Sequence, residues 1–111
     1  NYDPSNLITH GNANPIDGLR LLGQFVAEVH AKDGAYPTNR HDIGKQHQVG
    51  KGQVDYPAFV RALKDCGFEG VLCVEWERDL WNQTEVDADT KHREIVETKQ
   101  YLEKLLDAIY Y

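Results

Sequence analysis

The length, composition and charge of the chain exclude several classes of protein. It has 111 residues, 41% of them hydrophobic, which fits one ordinary globular domain and is too short for two. Twelve lysines and arginines stand against eighteen aspartates and glutamates, and the net charge of −6 disfavours a nucleic-acid partner. The sequence has neither a run of roughly 18 apolar residues nor a basic-then-apolar leader. We therefore expect a cytoplasmic protein without a membrane partner.

The hydrophobic pattern alternates between helices and strands. Apolar residues at spacings of three and four after a capping residue indicate helices, and short β-branched or apolar runs that end at turn signals indicate strands. The predicted elements are, in chain order, a strand end at residues 1–3, a helix at 14–24, a strand at 25–32, a loop at 33–54, a helix at 55–67, a strand at 71–77 and a helix at 90–109. This alternation predicts a parallel sheet with right-handed crossovers, and a loop of that length is typical of a lid or binding segment.

Ionisable residues gather at the carboxyl ends of two predicted strands, which is where α/β proteins bind ligands. The period of two places Glu28, His30 and Lys32 on one face of the first strand, and Glu75 and Glu77 on one face of the second. An imidazole and carboxylates from different strands suit a divalent metal ion. Periodicity alone nevertheless favours ion pairs, such as Lys32 with Glu75 or Glu77, over a metal site.

Four sequence patches occur in an order that resembles a known family. They are residues 1–7 (NYDPSNL), 29–34 (VHAKDG), 50–56 (GKGQVDY) and 74–77 (VEWE). Together they resemble the last quarter to third of the sugar phosphate isomerase/epimerase family, whose fold is a xylose isomerase-like barrel, and the resemblance covers nearly the whole chain. It implies the C-terminal three βα units of a (β/α)8 TIM barrel, with residues 1–111 as a single partial domain.

The resemblance also implies a metal centre. The family holds its metal with two glutamates, an aspartate and a histidine at strand ends, and by motif match Asp3, His30 and Glu75 are three of these ligands. The fourth ligand, a glutamate on an earlier strand, has no counterpart in this sequence. A divalent ion (Mn²⁺, Co²⁺, Mg²⁺ or Zn²⁺) is therefore the expected cofactor.

The implied activity is that of a metal-dependent sugar or sugar phosphate isomerase or epimerase, an enzyme of EC class 5 that transfers a proton through an enediolate. Glu75 would be the catalytic acid/base of this chain as well as a ligand. Lys32, Asp33, Asn6 and Glu77 are expected to contact the substrate or to orient the ligands.

Some features of the sequence leave alternatives open. Asn6 and Tyr36 stand where the epimerases have a histidine and an arginine that contact substrate, so dehydratase and other activities of the family stay open. One alternative is an endonuclease-like, metal-dependent phosphodiesterase on the same barrel, which the net charge opposes, and another is a non-catalytic α/β module. Three βα units cannot close an eight-stranded barrel. We therefore expect a fragment, inactive alone, whose partner is the remainder of the barrel or further copies of itself.

Several histidines and tryptophans outside these motifs have alternative roles. His10, His41 and His47 lie in predicted loops, where we expect them to be solvated rather than bound to metal. Trp76 is expected to face the helices, whereas Trp81 is a candidate for the mouth of a pocket.

Overall fold

The computed structural model of the protein describes residues 1–11, 13–82 and 84–111, in which helices and strands alternate. The helices are α1 (Pro4–Thr9), α2 (Pro15–Leu22), α3 (Tyr56–Asp65), α4 (Arg78–Asn82) and α5 (Ala88–Tyr110), and a 3-10 turn, Gly23–Phe25, follows α2. The strands are β1 (Glu28–Ala31), β2 (Asp33–Gly34), β3 (Gln46–His47) and β4 (Val71–Val74). None of the helices in the described ranges is long and apolar enough to cross a membrane.

Three parallel segments lie side by side and confirm the predicted parallel sheet. Strand β1 is in the middle, paired in parallel with β4, so that His30 lies opposite Cys73. On its other side Tyr2 forms a parallel bridge with Val29, through Tyr2 N to Glu28 O at 2.8 Å and His30 N to Tyr2 O at 3.0 Å. The carboxyl ends of all three segments therefore meet at one edge of the sheet.

The two faces of β1 have different surroundings, as the period of two requires. Val29 and Ala31 are fully buried in the core, where α3 contributes Phe59, and the ring of Phe59 stacks on Tyr2 with centroids 6.0 Å apart. His30 points to the opposite face. The sequence pattern of β4 predicts a strand that is buried on both faces. This prediction is wrong for this chain, because Val71 on the inner face is 65% exposed.

Capping side chains define where four of the helices begin. In each, a side-chain oxygen accepts hydrogen bonds from backbone N–H groups of the first turn, which have no partner inside the helix. The caps are Asp3 for α1, Asn14 for α2, Asp55 for α3 and Asp87 for α5. The cap of α1 also bears on the site, because it fixes the orientation of a predicted ligand.

Some predicted boundaries and one predicted loop are wrong. The strand predicted at 25–32 is shorter, since Phe25 belongs to the 3-10 turn and β1 covers Glu28–Ala31. The loop predicted at 33–54 contains an antiparallel pair, β2 with β3, in which Asp33 lies opposite His47. Helices α1 and α4, of 6 and 5 residues, were not predicted because so short a helix has no readable apolar period.

Candidate metal centre

The three predicted ligands come together at the shared edge of the parallel segments. Asp3 directly follows Tyr2, His30 lies in β1, and Glu75 directly follows β4, where its N–H donates to Ala31 O at 3.1 Å. One ligand atom from each of Asp3, His30 and Glu75 lies within 4.8 Å of the others. Asp3 and His30 are 27 positions apart in the sequence, and His30 and Glu75 are 45 positions apart. They form one cluster because parallel strands bring their carboxyl ends to the same edge.

Lys32 occupies the centre of a carboxylate cluster beside these ligands. Its Nζ lies 2.9 Å from Glu75 Oε2, 3.0 Å from Glu77 Oε2 and 3.0 Å from Asp3 Oδ2, and the lysine side chain is only 5% exposed. Burial by itself lowers the pKa of Lys32, but the hydrogen bonds to Glu75 and Glu77 and the charge of Asp3 outweigh it and raise the pKa above its ordinary value. The ion pairs that periodicity favoured are therefore present, and Lys32 is held as an ammonium.

His30 stands on the other side of Glu75 and has two competing neighbours. Its Nδ1 lies 3.1 Å from Glu75 Oε2 and 3.2 Å from Asn1 Nδ2, while its Nε2 lies 3.8 Å from Glu28 Oε1. One ring nitrogen cannot donate to a carboxylate and accept from an amide at the same time, because these contacts need opposite tautomers. The Nδ1 position is thus not fully satisfied by the protein groups around it.

The residues present fit a divalent cation. Asp3 Oδ1 accepts the N–H of Asn6 at 2.9 Å, whereas Asp3 Oδ2 is buried and accepts no hydrogen bond from the described residues, because Lys32 Nζ approaches it outside hydrogen-bonding geometry. Two carboxylates and an imidazole suit Mn²⁺, Co²⁺ or Zn²⁺, and the carboxylates alone suit Mg²⁺. The 3.1 Å between His30 Nδ1 and Glu75 Oε2 is the separation expected of two ligands each about 2.1 Å from one ion.

The other predicted site residues have different surroundings. Glu77 accepts hydrogen bonds from Lys32 Nζ at 3.0 Å and from Trp81 Nε1 at 2.7 Å. Burial raises the pKa of Glu77, but these hydrogen bonds outweigh burial and lower the pKa below its ordinary value. Asn6 contacts the cluster only through its backbone N–H, as part of the α1 cap, among the contacts of the described residues. Asp33 does not join the cluster of ligands.

Asp33 instead holds the long loop in place. Its buried carboxylate accepts four backbone N–H groups: Oδ1 accepts those of Gly34 at 2.8 Å and Val54 at 3.1 Å, and Oδ2 accepts those of Gly50 and Gly52, both at 3.0 Å. A side chain at Gly52 would collide with this carboxylate. Burial raises the pKa of Asp33, and the four hydrogen bonds oppose that rise.

Part of the loop that Asp33 holds lies against the carboxylate cluster. Residues 46–49 line a cavity of ≈ 10 Å³ together with Lys32, Glu75 and Glu77, which is about enough for one water. Gln46 in this segment is buried, and its Oε1 accepts from Ser5 Oγ at 3.1 Å. The loop has no apolar period, so its length is the only sequence signal that it contacts the site.

The histidines expected to be solvated lie outside the ligand cluster, which among the described residues contains only Asp3, His30 and Glu75. His10 instead meets Trp81 edge-on, with ring centroids 5.4 Å apart. Trp76 faces the helices as predicted, and its Nε1 donates to Glu94 Oε2 of α5 at 2.7 Å.

Comparison with known proteins identifies the family of the chain. A family model described as xylose isomerase-like TIM barrel matches residues 1–105. The chain belongs to this family. The crystal structure of a xylose isomerase domain protein from Planctomyces limnophilus is 25% identical and superposes with a TM-score of 0.82 over 99% of this chain. The match covers 36% of that protein, so the chain corresponds to about a third of its length. A comparison with curated proteins finds no match.

Membership in the xylose isomerase-like TIM barrel family confirms the predicted fold class. The open arc of parallel segments, with helices packed on its outer side, is a partial barrel. The edge at which Asp3, His30 and Glu75 meet is then the face of the barrel on which TIM-barrel enzymes build their active sites.

Proposed function

We propose that the protein to which this chain belongs is a metal-dependent isomerase or epimerase of sugars or sugar phosphates. In this proposal Asp3, His30 and Glu75 hold a divalent ion, Mn²⁺, Co²⁺, Mg²⁺ or Zn²⁺, at the carboxyl edge of the sheet. The observation that carries the proposal is the convergence of these side chains in a chain of this family, where a buried Asp3 oxygen is ion-paired with Lys32 but accepts no hydrogen bond from the described residues. A small-molecule sugar as the substrate is inferred from the family.

Each side chain has a role that follows from its contacts. A bound divalent ion would act as a Lewis acid towards the oxygens of a hydroxycarbonyl substrate. Glu75, 28% exposed, accepts or returns the carbon-bound proton of the substrate through its carboxylate. Lys32 donates hydrogen bonds to Glu75 and Glu77 and so fixes the orientation of these carboxylates, and its hydrogen bond helps to lower the pKa of Glu77.

Asn6 and Asp33 act further from the reacting carbon. The N–H of Asn6 holds Asp3 Oδ1, which leaves Oδ2 turned towards Lys32 and the ligand cluster. Asp33 holds the loop whose residues 46–49 line a small cavity with Lys32 and Glu75, and so fixes the protein wall on that side of the site.

Metal binding is the first test of the proposal. We expect the intact protein to bind one equivalent of Mn²⁺ or Co²⁺ in calorimetric titration after treatment with a chelator. Glu75→Gln should weaken this binding about 10- to 100-fold. Glu69→Gln, at an exposed position between α3 and β4, is the matched control and should leave binding unchanged. Equal binding by Glu75→Gln and the control would exclude Glu75 as a ligand.

Proton transfer is the second test, because it is specific to the proposed chemistry. In D₂O, an enzyme that works through an enediolate incorporates deuterium at the reacting carbon of its sugar, which NMR detects in the recovered substrate and product. We expect Glu75→Gln to lower both turnover and exchange at least about 100-fold, within the range for loss of a general acid/base. Sugar turnover that persists in Glu75→Gln would refute the assigned role.

A further inference from the structure

An aromatic pair, Trp81 and His10, stands beside the carboxylate cluster without a part in the roles above. The indole of Trp81 on α4 is 42% exposed and meets the His10 ring at an interplanar angle of 87°. Its Nε1 donates to Glu77 Oε2 at 2.7 Å, and the same oxygen lies 3.0 Å from Lys32 Nζ. The ring is thus separated from the ligand Glu75 by only two polar side chains.

This aromatic surface is held in place from both sides. Helix α4 is tied to β3 by reciprocal hydrogen bonds of 2.9 Å between the Asn82 side chain and the backbone of Gln46. His10 Nδ1 lies 2.9 Å from the hydroxyl of Thr9, which is fully buried. A ring fixed in this way loses little conformational entropy when a ligand binds against it.

An exposed tryptophan alone would need no explanation, since single apolar residues are common on protein surfaces. Trp81 differs because its N–H is committed to a carboxylate of the site, so that the N–H edge of the ring contacts the carboxylate cluster while part of the ring stays exposed. Carboxylates that accept hydroxyl groups, next to an apolar ring face, are the combination that ligand sites use to orient polar molecules.

The charges around the ring decide between a neutral and an anionic ligand. Asp3, Glu75 and Glu77 surround a single ammonium, Lys32, whose hydrogen bonds are already made to two of these carboxylates. A phosphate placed against Trp81 would lie beside the Glu77 carboxylate, and the ammonium of this cluster is already hydrogen-bonded to carboxylates, even where a divalent ion balances their charge. An uncharged polyol needs no cation and can use the same carboxylates as acceptors.

We propose that the exposed indole face of Trp81, backed by His10, binds the carbon–hydrogen face of a neutral, polyhydroxylated substrate such as an unphosphorylated sugar. This inference rests on the proposed function and narrows its substrate class. Trp81 is a substrate-binding residue in this arrangement, and the His10 ring, which meets it edge-on, is a positioning residue.

The test separates the ring face of Trp81 from its hydrogen bond. In the intact protein with saturating Mn²⁺, dissociation constants are measured by calorimetry for D-xylose, D-fructose and D-fructose 6-phosphate. Trp81→Leu removes the ring and should weaken binding of the preferred sugar about 3- to 10-fold. Trp81→Phe loses the bond to Glu77 but keeps an aromatic face, and should stay within about twofold of the unaltered protein. Trp76→Phe is the matched control, because Trp76 donates instead to Glu94 on α5.

Each other result overturns the inference in an identifiable way. Equal losses for Trp81→Leu and Trp81→Phe would mean that the residue acts by holding Glu77 rather than by its ring. Unchanged affinity in Trp81→Leu, with sugar binding intact in the unaltered protein, would refute the inference but leave the proposed function standing. Tighter binding of D-fructose 6-phosphate than of D-fructose would refute the neutral substrate. Binding of Mn²⁺ but of none of the sugars would refute the proposed function itself.

Discussion

Replacing Lys32 with methionine tests how much the charge network at the sheet edge contributes to folding. Methionine keeps most of the unbranched stem, so the change removes a charge without opening a large cavity. Lys32 is 5% exposed and Asp3 7% exposed at their side chains, and the substitution leaves Asp3, Glu75 and Glu77 facing one another without their cation. We expect a loss of stability.

The size of the loss follows from burial. Removing one partner of a buried ion pair costs about 3–5 kcal/mol, because the other charge stays buried. Glu75 and Glu77 are 28% and 27% exposed at their side chains, so water reaches them and screens part of the repulsion. We therefore expect Lys32→Met to lower the free energy of unfolding by about 2–4 kcal/mol. Because the pKa of Lys32 is raised, this contribution is fully present from neutral pH up to the ordinary lysine pKa and is lost as the pH rises through the raised value.

The assay is urea unfolding at pH 7 in the presence of a chelator, so that bound metal does not mask the effect. The matched control is Lys99→Met, which breaks an exposed pair with Glu103 at 3.2 Å and should cost less than about 0.5 kcal/mol. Added Mn²⁺ should restore part of the stability of Lys32→Met, since the ion supplies the missing positive charge. If Lys32→Met and Lys99→Met unfold at the same urea concentration, the network does not stabilise the fold.

Two further predictions concern other buried carboxylates. Asp33→Asn replaces one acceptor oxygen with a donor, so we expect the free energy of unfolding in urea to fall by about 3 kcal/mol. Amide hydrogen exchange at Gly50 and Gly52 should become faster, and unchanged exchange would contradict the role of Asp33 in the loop. Glu94 accepts two hydrogen bonds from Arg78, which lower its pKa, so its contribution is present above pH ~4.3 and is lost as the pH falls further. Glu94→Gln should thus cost about 1–2 kcal/mol at pH 7 and progressively less as the pH falls below the ordinary glutamate pKa, and a difference that is independent of pH would refute the ion pair.

The parts of the fold that were predictable are those with a local cause. The alternation of Val29, His30 and Ala31 fixes which side chain faces the core and which faces the site, because successive side chains of a strand point to opposite faces. The cap at Asn14 and the long apolar stripe of α5 are equally local. Such features need no knowledge of distant contacts, and the structure confirms them.

The parts that were missed depend on contacts between distant residues. The pairing of β2 with β3 and the hydrogen bonds from Gly50 and Gly52 to Asp33 join residues more than ten positions apart, and no periodicity in the loop reveals them. The aromatic pair likewise joins His10, which follows α1, and Trp81 of α4, which are far apart in the sequence. In the site itself, the faces of His30 and Glu75 followed from strand period, but the grouping with Asp3 followed only from the family motif.

Ion pairing and metal binding were competing interpretations of these residues, yet the arrangement accommodates both. Lys32 approaches Glu75 Oε2 from the side of Glu77, whereas His30 Nδ1 approaches the same oxygen at 3.1 Å. Three carboxylates around one ammonium leave two negative charges, so Lys32 alone does not neutralise the cluster and a divalent ion would. In the proposed metal complex Lys32 and the ion would therefore be complementary rather than exclusive: the lysine pairs with the carboxylates, and the residual charge would attract the metal.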